Sequence, residues 1–149
     1  DNGRLMPYLA EGSAGILFAL LMASERLRSH FSSRTLNRLA KAADVRCTAN
    51  GGLFMGRTGL LLVRHFASLT GIDCVPVDTE ILVNEITPYC FKSKSGKGVI
   101  IGGQGGLRLS TDYCSGNAGV VRAIDTFKDS TNPWLLFPGL SSLQQLEHN

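Results

Sequence analysis

The hydrophobic positions of the chain fall into short runs, and the pattern of these runs predicts helices of two kinds. Residues 16–23 and 60–63 are apolar on every side, which is typical of helices that are buried on most faces. Residues 35–46 instead carry their apolar side chains on one stripe and their charges elsewhere, as an amphipathic surface helix does. Asp78 is placed to cap a second helix of that kind. Buried inner helices are therefore expected to alternate with amphipathic outer ones.

The motif G-x-x-G occurs three times, each time before an apolar run. Its glycines are Gly12 and Gly15, Gly56 and Gly59, and Gly116 and Gly119. Such self-similarity indicates a repeat architecture. The first glycine allows a sharp turn into a helix. The second glycine lies inside the helix and lowers its stability by up to about 1 kcal/mol. Because all three copies have this glycine, we expect another element to pack closely against it. The motif differs from the nucleotide fingerprint G-x-G-x-x-G, because no strand is predicted before the first two copies.

Residues 89–109 break the helical pattern. Ser95 and Gly96 lie between two short β-prone runs, which favours a β-hairpin. Residues 102–106 are four glycines and a glutamine and are expected to form a flexible loop. A phosphate-binding loop is disfavoured, because no Gly-Lys-Ser/Thr follows and no helix is predicted to start at its end. Residues 132–139 are turn-rich and lead to a predicted last helix over residues 141–146.

Composition and charge narrow the class of protein. The 149 residues suit one domain, and 44% hydrophobic with 18% charged residues exclude a disordered chain. A net charge of +3 without a block of basic residues argues against nucleic-acid binding, and no apolar run is long enough for a membrane span. The cysteines have irregular spacing and form no C-x-x-C; they are Cys47, Cys74, Cys90 and Cys114. We expect reduced thiols in a cytoplasmic protein rather than a zinc site.

The repeats, read as residues 8–15, 52–59 and 112–119, resemble the last part of a LanC-like cyclase domain. The most similar type is the one that ends class III lanthipeptide synthetases. The resemblance implies an all-α fold, an α/α toroid of helical hairpins, present here as a partial barrel with a small β-hairpin insertion near residues 89–109. Three repeats supply fewer than half of the hairpins of that fold. Residues 1–149 are therefore expected to be a C-terminal segment of a larger enzyme, whose kinase and lyase domains lie outside this chain.

The resemblance also implies a chemistry. Typical members hold a zinc ion that converts a cysteine thiol of a precursor peptide into a thiolate, which adds to dehydroalanine or dehydrobutyrine and closes a thioether ring. The positions that match the zinc ligands are Ala10, Phe54 and Met55. Alanine and phenylalanine cannot bind zinc and methionine binds it poorly, so no metal is expected, as in the class III subgroup. No cofactor is expected in this segment; a nucleoside triphosphate with Mg²⁺ would serve only the absent kinase domain.

Ring closure without zinc depends on orienting a peptide whose thiol is already partly ionised near neutral pH. Helix dipoles at the G-x-x-G turns are expected to favour an anion there, so side chains beside the turns are the candidates. Arg57 is predicted to hold a carbonyl or enolate oxygen, and Glu11 or Asp112 to relay a proton. Predicted substrate-binding residues are Tyr8, Tyr113 and Cys114.

Simpler and alternative interpretations stay open. Glu11 and Asp112 could only cap or charge helix starts. The expected partners are the precursor peptide and the kinase and lyase domains, and the alternative to a cyclase is a catalytically silent scaffold that binds the peptide or supports those domains. A glycan-processing α/α enzyme is disfavoured, because two carboxylates are a thin supply for that chemistry.

Overall fold

The computed structural model describes residues 6–103 and 108–129. The helices are α1 (Ser13–Met22), α2 (Glu25–Arg28), α3 (Ser33–Ala43), α4 (Arg57–Leu69), α5 (Thr79–Ile86) and α6 (Asn117–Lys128), with a 3₁₀ turn at Thr87–Tyr89. The strands are β1 (Cys90–Lys92), β2 (Val99–Gly102) and β3 (Leu109–Ser110). The predicted helix over residues 141–146 and part of the predicted glycine loop lie outside the described residues.

Each G-x-x-G motif begins a helix, as its pattern predicts. Gly12, Gly56 and Gly116 are the residues immediately before α1, α4 and α6. The amphipathic segment is α3, and Asp78 caps α5 by accepting a hydrogen bond from the Ile81 amide at 2.8 Å. Local sequence signals therefore locate these helices correctly.

The loop before each of these helices folds back onto the helix start. The amide two residues after the first glycine donates to the carbonyl seven residues earlier in all three repeats: Ala14 to Pro7 at 3.0 Å, Thr58 to Gly51 at 3.3 Å, and Ala118 to Thr111 at 3.4 Å. A Cβ on the second glycine would collide with a carbonyl oxygen six residues earlier, in Leu9, Leu53 and Tyr113 respectively. The close neighbour predicted from the second glycine is therefore the repeat's own loop.

Helix α4 is the centre of the fold. It packs between α1 and α6 and also contacts α3 and α5, and its residues 57–64 are all buried. Phe66 meets Phe18 of α1 edge to face, with ring centroids 6.0 Å apart. Helix α1 is less enclosed than its composition predicts, because Ile16 is 57% exposed.

The expected all-α, partly closed toroid is wrong for this part of the chain. Only about half of the described residues are helical, and the strands Cys90–Lys92, Val99–Gly102 and Leu109–Ser110 form an antiparallel sheet in the order β1-β2-β3. The hairpin predicted at Ser95 and Gly96 is present, but β3 adds a third strand that a run of two residues could not signal. Ile101 buries its side chain in the common core. Asn117 of α6 joins the sheet by accepting from the Ile101 amide at 2.6 Å and donating to the Val99 carbonyl at 2.8 Å. The sheet is thus anchored to the core through Ile101 and to α6 through Asn117.

Candidate functional site

Equivalent positions of the three repeats are joined in series by main-chain hydrogen bonds. The Ala10 amide donates to the Phe54 carbonyl at 3.0 Å, and the Phe54 amide donates to the Cys114 carbonyl at 3.0 Å. Each of these residues lies two positions before the first glycine of its repeat. We call the surface formed by residues 10, 54 and 114 the loop ladder. It brings the three predicted site segments to one place.

Aromatic side chains border the loop ladder. The rings of Phe54 and Tyr113 lie 6.2 Å apart at an angle of 53°. Burial raises the pKa of the Tyr113 hydroxyl, with Arg122 opposing that shift, so Tyr113 is a neutral, half-buried phenol that can contact a peptide. Tyr8 is also half-buried, and it packs against the core rather than standing clear of it.

An apolar groove of about 380 Å³ begins at Phe54 and follows α1. Small residues of that helix line it at intervals of four: Gly15, Ala19 and Ala23. Leu9, Phe18 and Met22 complete its walls. This groove is not among the features predicted from the sequence, although small residues spaced by four on an otherwise apolar helix indicate a face with room beside it.

Glu11 and Cys114 are the exposed chemical groups at the loop ladder. Within the described part of the chain, the Glu11 carboxylate forms no hydrogen bond and no ion pair. It is therefore available to a bound peptide. Cys114 is a free thiol.

The Arg57 side chain is buried and is bound to other residues of the fold. Its Nη2 lies 2.8 Å from Oε2 of Glu85, its Nε donates to the same oxygen at 3.0 Å, and its Nη1 donates to the Val45 carbonyl. The residue is only 2% exposed. These contacts tie α4 to α5 and to the chain after α3, and they occupy all three guanidinium nitrogens.

The Asp112 carboxylate accepts hydrogen bonds from neighbouring residues of the third repeat. It accepts from the Ser110 hydroxyl, from the Ser115 amide at 2.7 Å and from the Ser115 hydroxyl at 2.8 Å. The Ser110 hydrogen bond, followed by the Ser115 amide, lowers the pKa of Asp112 to about 2. The group is a carboxylate at neutral pH and a poor proton donor there.

At each helix start beside the loop ladder, an amide that the sequence predicts to favour an anion is already hydrogen-bonded. The amides of Ala14, Thr58 and Ala118 already donate to carbonyls of their own loops. The partial positive charge of each helix start is therefore met by main-chain oxygens.

The donor set at the loop ladder does not fit zinc. Ala10 and Phe54, which match two ligand positions, are adjacent through their main chains, yet their side chains carry no donor atom. Met55, at the third position, offers only a thioether. Among residues 6–103 and 108–129, no three His, Cys, Asp or Glu side chains are grouped so that they could hold a metal ion.

Comparison with known proteins adds no relative. No protein-family model matches the chain, and a search of curated proteins finds no match. No helix in the described ranges is long and apolar enough to cross a bilayer.

Proposed function

We propose that the chain is a cyclase segment of a class III lanthipeptide synthetase, acting on a precursor peptide in the cytoplasm without zinc. In this proposal the loop ladder and the α1 groove hold the peptide while a cysteine thiol adds to dehydroalanine or dehydrobutyrine, giving (methyl)lanthionine or labionin rings. The observation that carries the proposal is the apolar groove that opens at Phe54 of the loop ladder. It provides an extended apolar contact directly beside the turns of the first two repeats.

The chemistry asked of these residues is modest. The thiol loses its proton, the sulfur forms a bond to the β-carbon of the dehydroamino acid, and the resulting enolate takes a proton at the α-carbon. In this proposal Glu11 accepts the thiol proton and returns it to the enolate, since its carboxylate is exposed and has no hydrogen bond or ion pair with another described residue. Holding the two reactants in contact supplies most of the rate, since orientation alone is worth several kcal/mol.

The test uses the complete synthetase that carries this segment and a pre-dehydrated precursor peptide. Free thiols are counted over time by alkylation and mass spectrometry, with and without a chelator. We expect thiol loss well above the enzyme-free rate and no effect of the chelator. Ala19→Trp, which fills the groove, should slow ring closure, whereas Ile16→Trp on an exposed position of the same helix should not. Thiol loss no faster than in buffer contradicts the cyclase.

A catalytically silent scaffold is the second candidate. It is favoured by the internal contacts of Arg57, which is buried and ion-paired with Glu85, and by those of Asp112, whose carboxylate is hydrogen-bonded within its own repeat. Glu11→Gln separates the two functions. A cyclase should lose ring closure while keeping peptide affinity, and a scaffold should lose affinity or nothing.

A further inference from the structure

A second groove lies on the outer face of α3, remote in sequence from the loop ladder. It has a volume of about 720 Å³ and is bounded by α3 on one side and by residues 73–75 on the other. Arg34, Arg38 and Lys41 form its α3 wall. These side chains are exposed, and their spacing of four and three residues places them on one face of the helix. We call this surface the basic groove.

The positive charge of the α3 wall is not neutralised nearby. None of its three cations forms an ion pair with another described residue. Asp44 also lines the groove, but its carboxylate is paired with Arg64 at 3.0 Å. Asp73 is the remaining acidic group. The groove therefore carries an excess of two positive charges.

The groove is held in shape from below. Arg64 is 7% exposed, and its Nη2 donates to the Val75 carbonyl at 3.2 Å. The Asp73 amide donates to the Asn37 side-chain oxygen at 3.3 Å, which joins the two walls directly. The lining also includes two aliphatic residues, the nearly buried Ala40 on α3 and the exposed Val75 on the opposite wall. A ligand thus meets a prearranged surface with a basic wall and two aliphatic residues, and prearrangement reduces the entropy cost of binding.

We propose that the basic groove binds an acidic peptide segment. Carboxylates of the segment would pair with Arg34, Arg38 and Lys41, and an apolar side chain would rest on Ala40 and Val75. The three cations extend over about 10 Å of helix, which suits a chain of spaced carboxylates better than one small anion. A single-stranded nucleic acid fits poorly, because no aromatic side chain among the described residues lines the groove to stack a base. The inference does not depend on the proposed cyclase function.

The probe is a fluorescein-labelled helical peptide with glutamates spaced by four and three residues and leucines between them, titrated with the full chain by fluorescence anisotropy. The variant R34E/R38E/K41E should weaken binding at least about tenfold, since each exposed ion pair contributes modestly and each is reversed. The matched control K92E/K94E/K97E makes the same charge change on the exposed β1–β2 hairpin and should stay within about twofold. Asp73→Asn should tighten binding about two- to threefold, because it removes the unpaired acid of the groove.

Other outcomes overturn the proposal. Equal losses in the two triple variants would show attraction to net charge rather than to the groove. Equal binding of a peptide with serines in place of leucines, or equal competition by a single-stranded DNA of matched charge, would show a general polyanion surface. If R34E/R38E/K41E does not fold, R34Q/R38Q/K41Q and Asp73→Asn give the same contrast, and affinities unchanged in both would contradict the groove.

Discussion

Gly59 gives the sharpest prediction, because helix propensity and packing predict opposite changes in the free energy of unfolding when it is replaced by alanine. It lies in the first turn of α4, and Gly59→Ala would ordinarily stabilise a helix by about 1 kcal/mol. A Cβ at this position would instead lie well under 3.0 Å from the Leu53 carbonyl oxygen. The position of the Cβ is fixed by the backbone and the oxygen belongs to the main chain, so no change of rotamer can relieve the collision.

The cost follows from what must move. Overpacking a rigid site costs about 1–3 kcal/mol. Displacing the loop also weakens two hydrogen bonds that Thr58 donates to the Gly51 carbonyl, one from its amide at 3.3 Å and one from its hydroxyl at 2.5 Å. Each of these bonds contributes about 1 kcal/mol. After subtracting the gain in propensity, we expect Gly59→Ala to lower the free energy of unfolding by about 2–4 kcal/mol.

Urea unfolding followed by circular dichroism measures this difference. Gly98→Ala is the control, because a Cβ there meets no atom within 4 Å, and it should change the unfolding free energy by no more than about 0.5 kcal/mol. A Gly59→Ala protein as stable as the parent would refute the reasoning. It would mean that the loop and the helix start can separate freely, and that the second glycine has no packing role.

Three further predictions concern groups whose contacts the structure defines. Arg57→Ala should lower the unfolding free energy by about 2 kcal/mol or more, because the Val45 carbonyl loses a buried donor; an unchanged urea midpoint would contradict this. Asp112→Asn should lower the melting temperature at pH 7, and the gap should close as the pH falls toward 2. The folded pKa of Asp112 lies below its unfolded value, so its contribution is complete above about pH 4 and is lost on acidification through the folded pKa; a gap that does not change with pH would disprove it. Iodoacetamide at pH 7.5 should modify exposed Cys114 before half-buried Cys90, whose pKa is raised by burial; peptide mapping reads the order, and the reverse order would contradict the stated exposures.

The helices could be predicted from the sequence because their signals are local. A G-x-x-G motif, a capping Asp78 and an apolar stripe each act within a few residues of the helix they start or bury. The third strand could not be predicted, because Leu109 and Ser110 form a strand only by pairing with Gly102 and Ile101. The inclusion of the sheet in the core depends on the long-range bonds of Asn117, which no local pattern encodes.

In the candidate site too, local contacts could be predicted from the sequence and long-range contacts could not. Proximity to the turns singled out Arg57, but its partner Glu85 lies 28 residues away and could not be inferred from spacing. Asp112 illustrates the opposite case, because its partners Ser110 and Ser115 are close in sequence, although it does not cap α6, whose N-cap is Gly116 without a side-chain cap hydrogen bond. The loop ladder could not be predicted from the sequence, because a main-chain bond between Ala10 and Phe54 does not depend on the type of residue at either position.

The loop ladder is formed by main-chain bonds, and this has an evolutionary consequence. The alignment of the three turns is encoded by amides and carbonyls, which every residue except proline possesses. Side chains at positions 10, 54 and 114 can therefore be exchanged without breaking the bonds that align them. A repeat protein built in this way can lose one chemistry and acquire another at the same three points while its scaffold tolerates the transition.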